Sequence, residues 1–164
     1  MKKIFLVVLL FVGFFGTSSA QQFYQSAVGA RLGSPVSASY KTFISESAAL
    51  EAYAGFRFYG FGSWVNLSGA YLVHQPLGEL ADGLQWYYGG GASVFFWNYT
   101  DSALDGLSST SLGLQAYVGL DYTLDEYPVQ LTVDWIPTIF IGDTNLSAFG
   151  AGYGSLGIRY ILQR

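Results

Sequence analysis

Beyond residue 20 the chain alternates. Runs of roughly 8 to 13 residues step between apolar side chains and polar or small ones, with turn-forming residues between the runs, and helical spacing is sustained nowhere. Around residues 48–59, Leu50, Ala52, Ala54, Phe56 and Phe58 share one phase, while Glu51, Tyr53, Gly55, Arg57 and Tyr59 share the other. The same division separates Val28, Ala30 and Leu32 from Ala27, Gly29 and Arg31, and Val129, Leu131, Val133 and Trp135 from Gln130, Thr132 and Asp134. The pattern predicts strands over Tyr24–Gly33, Val36–Ile44, Ala48–Tyr59, Ser63–Gln75, Leu84–Asn98, Ser111–Thr123, Pro128–Ile136 and Tyr153–Gln163, with the seventh free to run on past Pro137. Ser/Asp-rich and Gly/Asn-rich loops are expected over Asp101–Thr110 and Gly142–Gly152.

Every charge inside these strands falls on the polar or small phase: Arg31, Lys41, Glu51, Arg57, Asp121, Asp134 and Arg159. The other acids after residue 20 sit in turns or loops. A basic side chain on a lipid-facing wall costs about 2–4 kcal/mol at mid-membrane, which accounts for charges avoiding one phase altogether. The expected fold is all-β: an antiparallel up-and-down transmembrane β-barrel of about eight strands, an even number with strands long enough for a tilted span. The seven charges would then form a lumen network of four cations and three anions, nearly balanced as a low-dielectric interior requires. The same alternation also fits a soluble lipid-binding barrel with its faces exchanged, the apolar phase enclosing a greasy ligand. Its outer wall should be rich in charge, however, and seven charges over eight strands is sparse.

Composition sharpens this reading. The chain is 51% hydrophobic and only 11% charged, against about 25% charged in ordinary soluble domains. Lys2 and Lys3, the apolar run Ile4–Phe15 and the small residues Ser18-Ser19-Ala20 have the layout of a cleaved signal peptide. Residues 1–20 are therefore expected to be removed, leaving Gln21–Arg164 as one barrel domain. The mature chain keeps five basic residues against 11 acidic ones, a net charge of −6, which argues against nucleic acid as a partner. No later segment holds 18 uninterrupted apolar residues, so no membrane-spanning helix is expected. The absence of cysteine removes disulfides, thiolate metal sites and a lipid-bearing N-terminal thiol.

Aromatic residues gather near the predicted strand ends: Tyr59, Trp64, Trp86, Tyr88, Trp97, Tyr99, Tyr122, Tyr127 and Trp135. Tyr and Trp favour the headgroup level, so these residues are expected to form interfacial girdles. Candidate chemistry is thin. The single histidine, His74, stands beside Gln75-Pro76 with no nucleophile motif, and a hydrogen-bonding role is favoured over catalysis. Asp101 and Asp105 lack the spacing of a calcium loop. Gly89-Gly90-Gly91 lies mid-strand and is no phosphate loop, and three Asn-x-Ser/Thr triplets are read as chance matches. No catalytic residue, cofactor or metal is expected.

The segments Tyr40-Lys41, Ser47-Ala48-Ala49-Leu50-Glu51, Gly55-Phe56-Arg57, His74-Gln75-Pro76, Leu84 to Gly91, Phe96-Trp97, Gly119 to Thr123, Asp134 to Pro137 and Gly157 to Tyr160 resemble small outer-membrane barrel proteins of Bacteroidetes-type bacteria. The resemblance covers most of the mature chain. It implies an outer-membrane barrel without assigned activity and carries no catalytic residues. Gly157, Tyr160 and Leu162 have the spacing of a signal read by the barrel-assembly machinery, although the chain ends Leu162-Gln163-Arg164 and not on an aromatic. The expected partners are outer-membrane lipid, and the assembly machinery and periplasmic chaperones during biogenesis; a monomer is expected. Eight strands enclose little more than their own side chains. A structural or interaction barrel is therefore favoured over a narrow channel or small-ligand carrier.

Overall fold

The computed structural model describes residues 23–60, 62–99, 108–141 and 150–164. The readings of residues 1–20 and of most of the two long loops lie outside the described residues. The alternating runs close into one antiparallel barrel of eight strands: β1 (Ser26–Gly33), β2 (Val36–Phe43), β3 (Ala48–Tyr59), β4 (Gly62–Pro76), β5 (Leu84–Tyr99), β6 (Ser108–Thr123), β7 (Val129–Ile141) and β8 (Gly150–Gln163). Each strand pairs with its neighbours in sequence, and β8 returns to β1 with Val28 opposite Tyr160 and Arg31 opposite Gly157. Closure gives the backbone polar groups partners within the wall, as a sheet surrounded by an apolar medium requires.

The two ends of the barrel differ. At one, the turn end, lie the start of β1, the end of β8 and the connections β2–β3, β4–β5 and β6–β7. The β4–β5 turn closes on Gly83, whose φ of +82° suits glycine, and Thr123 N donates to its carbonyl at 2.9 Å. At the other, the loop end, β1–β2, β3–β4, β5–β6 and β7–β8 connect. The wall is uneven, because β1 and β2 have 8 residues each while β5 and β6 have 16.

The phases divide as the alternation requires. Leu50, Phe56, Leu114, Val118, Leu131, Val133, Ile158 and Leu162 face outward and are exposed, while Lys41, Glu51, Asp121, Asp134 and Arg159 are buried inside. The barrel is thus polar within and apolar without, the reverse of a soluble lipid-binding barrel. Two strand starts lie well outside the sequence reading, and the seventh strand does run on past Pro137. β6 begins at Ser108, inside the predicted loop, because Ser108 to Thr110 continue the ladder against Phe96 to Asn98. β8 likewise begins at Gly150. β7 passes Pro137 to Ile141, and its register shifts between Ile136 and Thr138, where a residue lacking an N–H is tolerated.

Candidate functional site: a charged lumen

The inward phase supplies the site. At the turn end Tyr24, Ala27, Phe43, Ala49 and Ile161 pack into an apolar floor, with Tyr24 edge-on to Phe43 at 5.1 Å between centroids. Toward the loop end Trp64, Phe95 and Phe140 form a second apolar layer, with Trp97 packed against it. Between these layers lies a network of ions.

Glu51 is its hinge. Arg31 Nη1 donates to Glu51 Oε1 at 2.9 Å, and Arg159 Nη2 donates to the same oxygen. Arg31 Nη2 reaches Asp134 Oδ2 at 2.5 Å, and Tyr87 Oη and Ser155 Oγ donate to that carboxylate at 2.7 and 2.6 Å. Arg159 is held further by Ser39, Gln130 and Thr132. A second group centres on Asp121, which accepts from Lys41 Nζ at 2.6 Å and from Tyr24 Oη at 3.4 Å. Lys41 also lies over the Tyr87 ring, 4.6 Å from its centroid. Burying a charge is costly unless a partner and hydrogen bonds accompany it, and here each of the six ions has both.

Six of the seven predicted charges meet in this network. Arg57 does not. It shares the inward phase, but β3 carries it two places past Gly55, to the loop-end rim, where it is exposed opposite Trp64. Without it the described residues place three cations and three carboxylates in the lumen, a balance closer than the sequence implied.

His74 lies fully inside, stacked on Tyr87 at 5.0 Å, with Nε2 3.4 Å from Asp121 Oδ2 and neither ring nitrogen in a hydrogen bond. The sequence places Tyr53, Tyr87 and Tyr117 inward beside small glycines, but assigns neither them nor Tyr24, Gln115 and Gln130 a part in the ion network. Tyr117 and Tyr53 both donate to Gln115 Oε1, at 2.9 and 3.2 Å, and Gln115 Nε2 donates onward to Thr138 Oγ1, while the Tyr53 ring lies under the Arg31 guanidinium. For Tyr53, Tyr117, Gln115 and Gln130 the available signal was the parity each shares with a charge on its own strand, whereas β5, which carries Tyr87, has no charge and Tyr24 lies before β1. Gly119 makes the room that Tyr87 occupies, since a Cβ there would stand 2.7 Å from Tyr87 Cζ and from Asp134 Cβ. Gly119→Val is accordingly expected to displace Tyr87 from Asp134 and to destabilise the barrel by about 1–3 kcal/mol, read as a lower urea midpoint of the protein folded in lipid vesicles.

The girdle expectation needs correction at three positions. Trp64 and Trp97 face inward and stack with Phe95 and Phe140 in the lumen, Trp64 being 3% exposed. Trp135 faces outward but sits midway along β7, away from either end, whereas Trp86 and Tyr122 face outward near strand ends and Tyr127 lies exposed in the β6–β7 turn. Gly157 faces inward, while Tyr160 and Leu162 face outward near the end of β8. Among the described residues no group of three or more His, Cys, Asp or Glu is arranged to hold a metal ion.

A closed eight-stranded wall, apolar outside and ion-paired inside, is the geometry on which the comparison with known proteins turns. Solved structures share this fold. Neisserial surface protein A superposes with a TM-score of 0.59 at 14% identity, covering 84% of this chain and 93% of that one. The N-terminal β-barrel domain of Pseudomonas aeruginosa OprF gives 0.60 at 15%, covering 82% and 93%. No known family and no curated protein matches the sequence. The likeness is one of fold.

Proposed function

We propose that this protein is an integral outer-membrane barrel with a structural or interaction role, its lumen sealed by its own side chains. The observation that carries the reading is the pairing of an exposed apolar outer wall with an interior of three cations and three carboxylates locked together at hydrogen-bond distance. Water would not tolerate the first, and a diffusion pore would not contain the second between two apolar layers. Tyr160 and Leu162, outward on the last strand, fit the role of an assembly signal together with Gly157. Two solved neighbours of the same fold are a surface protein and an N-terminal β-barrel domain, in keeping with this placement. The role uses no catalytic group, and the barrel acts as a monomer.

The test is electrical. Protein refolded into lipid vesicles, with insertion verified by heat-dependent gel migration, is expected to leave a planar bilayer silent. Stable steps of the size given by an open aqueous pore would overturn the sealed lumen. Failure to insert would overturn the membrane placement.

A further inference from the structure

The uneven wall leaves a notch at the loop end. The last pair between β8 and β1 is Ser155 with Gly33, so β8 continues five residues, Gly150 to Gly154, past the tip of the β1–β2 hairpin. On the other side the last pair between β2 and β3 is Val36 with Phe56, and β3 continues three residues, Arg57 to Tyr59. At about 3.3 Å per residue, the Ser34–Pro35 turn is recessed by about 10–16 Å along its neighbours. Among the described residues no strand pairs with the edges of β3 and β8 that flank the gap. Bare backbone edges do not face hydrocarbon, so the notch belongs at headgroup level. Immediately below it Leu32 and Val36 face outward at 58% and 41% exposure, and Phe58 beside it at 76%, so the notch opens at the edge of the apolar wall.

Beneath the turn lies a cavity of about 10 Å³, room for one water-sized group, bounded by Ser34, Pro35, Ser37, Asn66, Phe95 and Arg31. Two buried polar atoms there lack partners: Ser34 Oγ and Asn66 Oδ1. Asn66 is 1% exposed, and its Nδ2 is already engaged by Ser68 and Ser93, so its carbonyl is left to accept from something else. The cavity's cation is not available to an anion, because Arg31 is held by Glu51, Asp134 and Ser155. What the cavity lacks is a small neutral donor.

We propose that the notch binds a hydroxyl-bearing lipid of the leaflet at the loop end, one hydroxyl of which enters the cavity, donates to Asn66 Oδ1 and accepts from Ser34 Oγ. The rest of the head fills the gap between β3 and β8, and the acyl chain lies along Leu32, Val36 and Phe56. This rests on the membrane placement proposed above and adds a ligand to it.

The test uses the full mature chain in phosphatidylcholine nanodiscs, titrated with 1-monooleoylglycerol, with the side-chain amide of Asn66 and the backbone amide of Ser34 followed by NMR. Saturable shifts at both are expected. Ser34→Ala is expected to weaken the response about fivefold, the worth of one hydrogen bond, and Ser37→Leu, which fills the cavity, to abolish it. Methyl oleate, with the chain but no hydroxyl, and free glycerol, with hydroxyls but no chain, should leave both signals in place. No response to monooleoylglycerol would mean a site holding water only and would overturn the proposal. So would an equal response to methyl oleate or to glycerol, or an undiminished response in folded Ser34→Ala. Protein that does not enter the nanodisc would instead overturn the membrane placement.

Discussion

Glu51→Gln should be among the most damaging single substitutions in the barrel, lowering stability by about 3–5 kcal/mol, the cost of breaking a buried ion pair by removing one partner. Glu51 serves two guanidinium groups through one oxygen. Without its charge Arg31 retains Asp134, but Arg159 is left with Ser39, Gln130 and Thr132, all neutral. The cation would then stand uncompensated in the middle of the lumen. The measurement is urea unfolding in lipid vesicles, followed by tryptophan fluorescence and gel migration. A double-mutant cycle with Arg159→Met locates the cause: the pair should cost less than the sum of the single changes, because the second removes the stranded charge. Arg57→Ala, on the exposed rim, is the contrast and should move stability by no more than about 0.5 kcal/mol. Equal losses at Glu51 and Arg57 would show that charge number, and not the buried network, sets the stability.

The contrast between Glu51 and Arg57 also shows how far the sequence could be read. Parity along a strand is a local property, and it put both residues on the inward phase. Depth is not local. Arg57 is at the rim because β2 stops at Val36 and leaves the end of β3 without a neighbour on that side, a consequence of pairing between segments that no periodicity records. Trp64 and Trp97 teach the complementary lesson. Their nearness to strand ends suggested a girdle, yet Trp64 has the parity of Asn66 and Ser68, and Trp97 that of Ser93 and Phe95, all of which face inward. Parity outweighs position, because an outward turn at either residue would reverse the whole strand. The ions of the network were visible as isolated charges in apolar strands. Their pairing was not: Lys41 meets Asp121 across 80 positions and Arg31 meets Asp134 across 103, distances fixed only when the barrel closes. The tyrosines and glutamines that complete the site carry no charge to mark them, and in sequence they resemble interfacial residues.

Val118→Arg tests the other half of the molecule. Val118 faces outward at 44% exposure, near the middle of β6, between Tyr88 on β5 and Trp135 on β7. In water an arginine on such a surface position would be nearly neutral, within about 0.5 kcal/mol. In a bilayer it must reach for the headgroups or carry its charge into hydrocarbon, at about 2–4 kcal/mol near the midplane. The two environments therefore predict results several-fold apart from the same substitution, and the lumen, which Val118 does not face, is undisturbed in either case. The expected result is a large loss of stability in vesicles. The loss should shrink when arginine is placed instead at Tyr122, at the turn end of the same strand, where the headgroups are within reach. Val118→Leu, of like polarity, should leave the unfolding midpoint close to that of the parent. Depth dependence along one face of one strand is a property only of a wall embedded in lipid. If arginine at 118 and at 122 cost the same small amount, the exposed apolar belt would need a covering other than a bilayer.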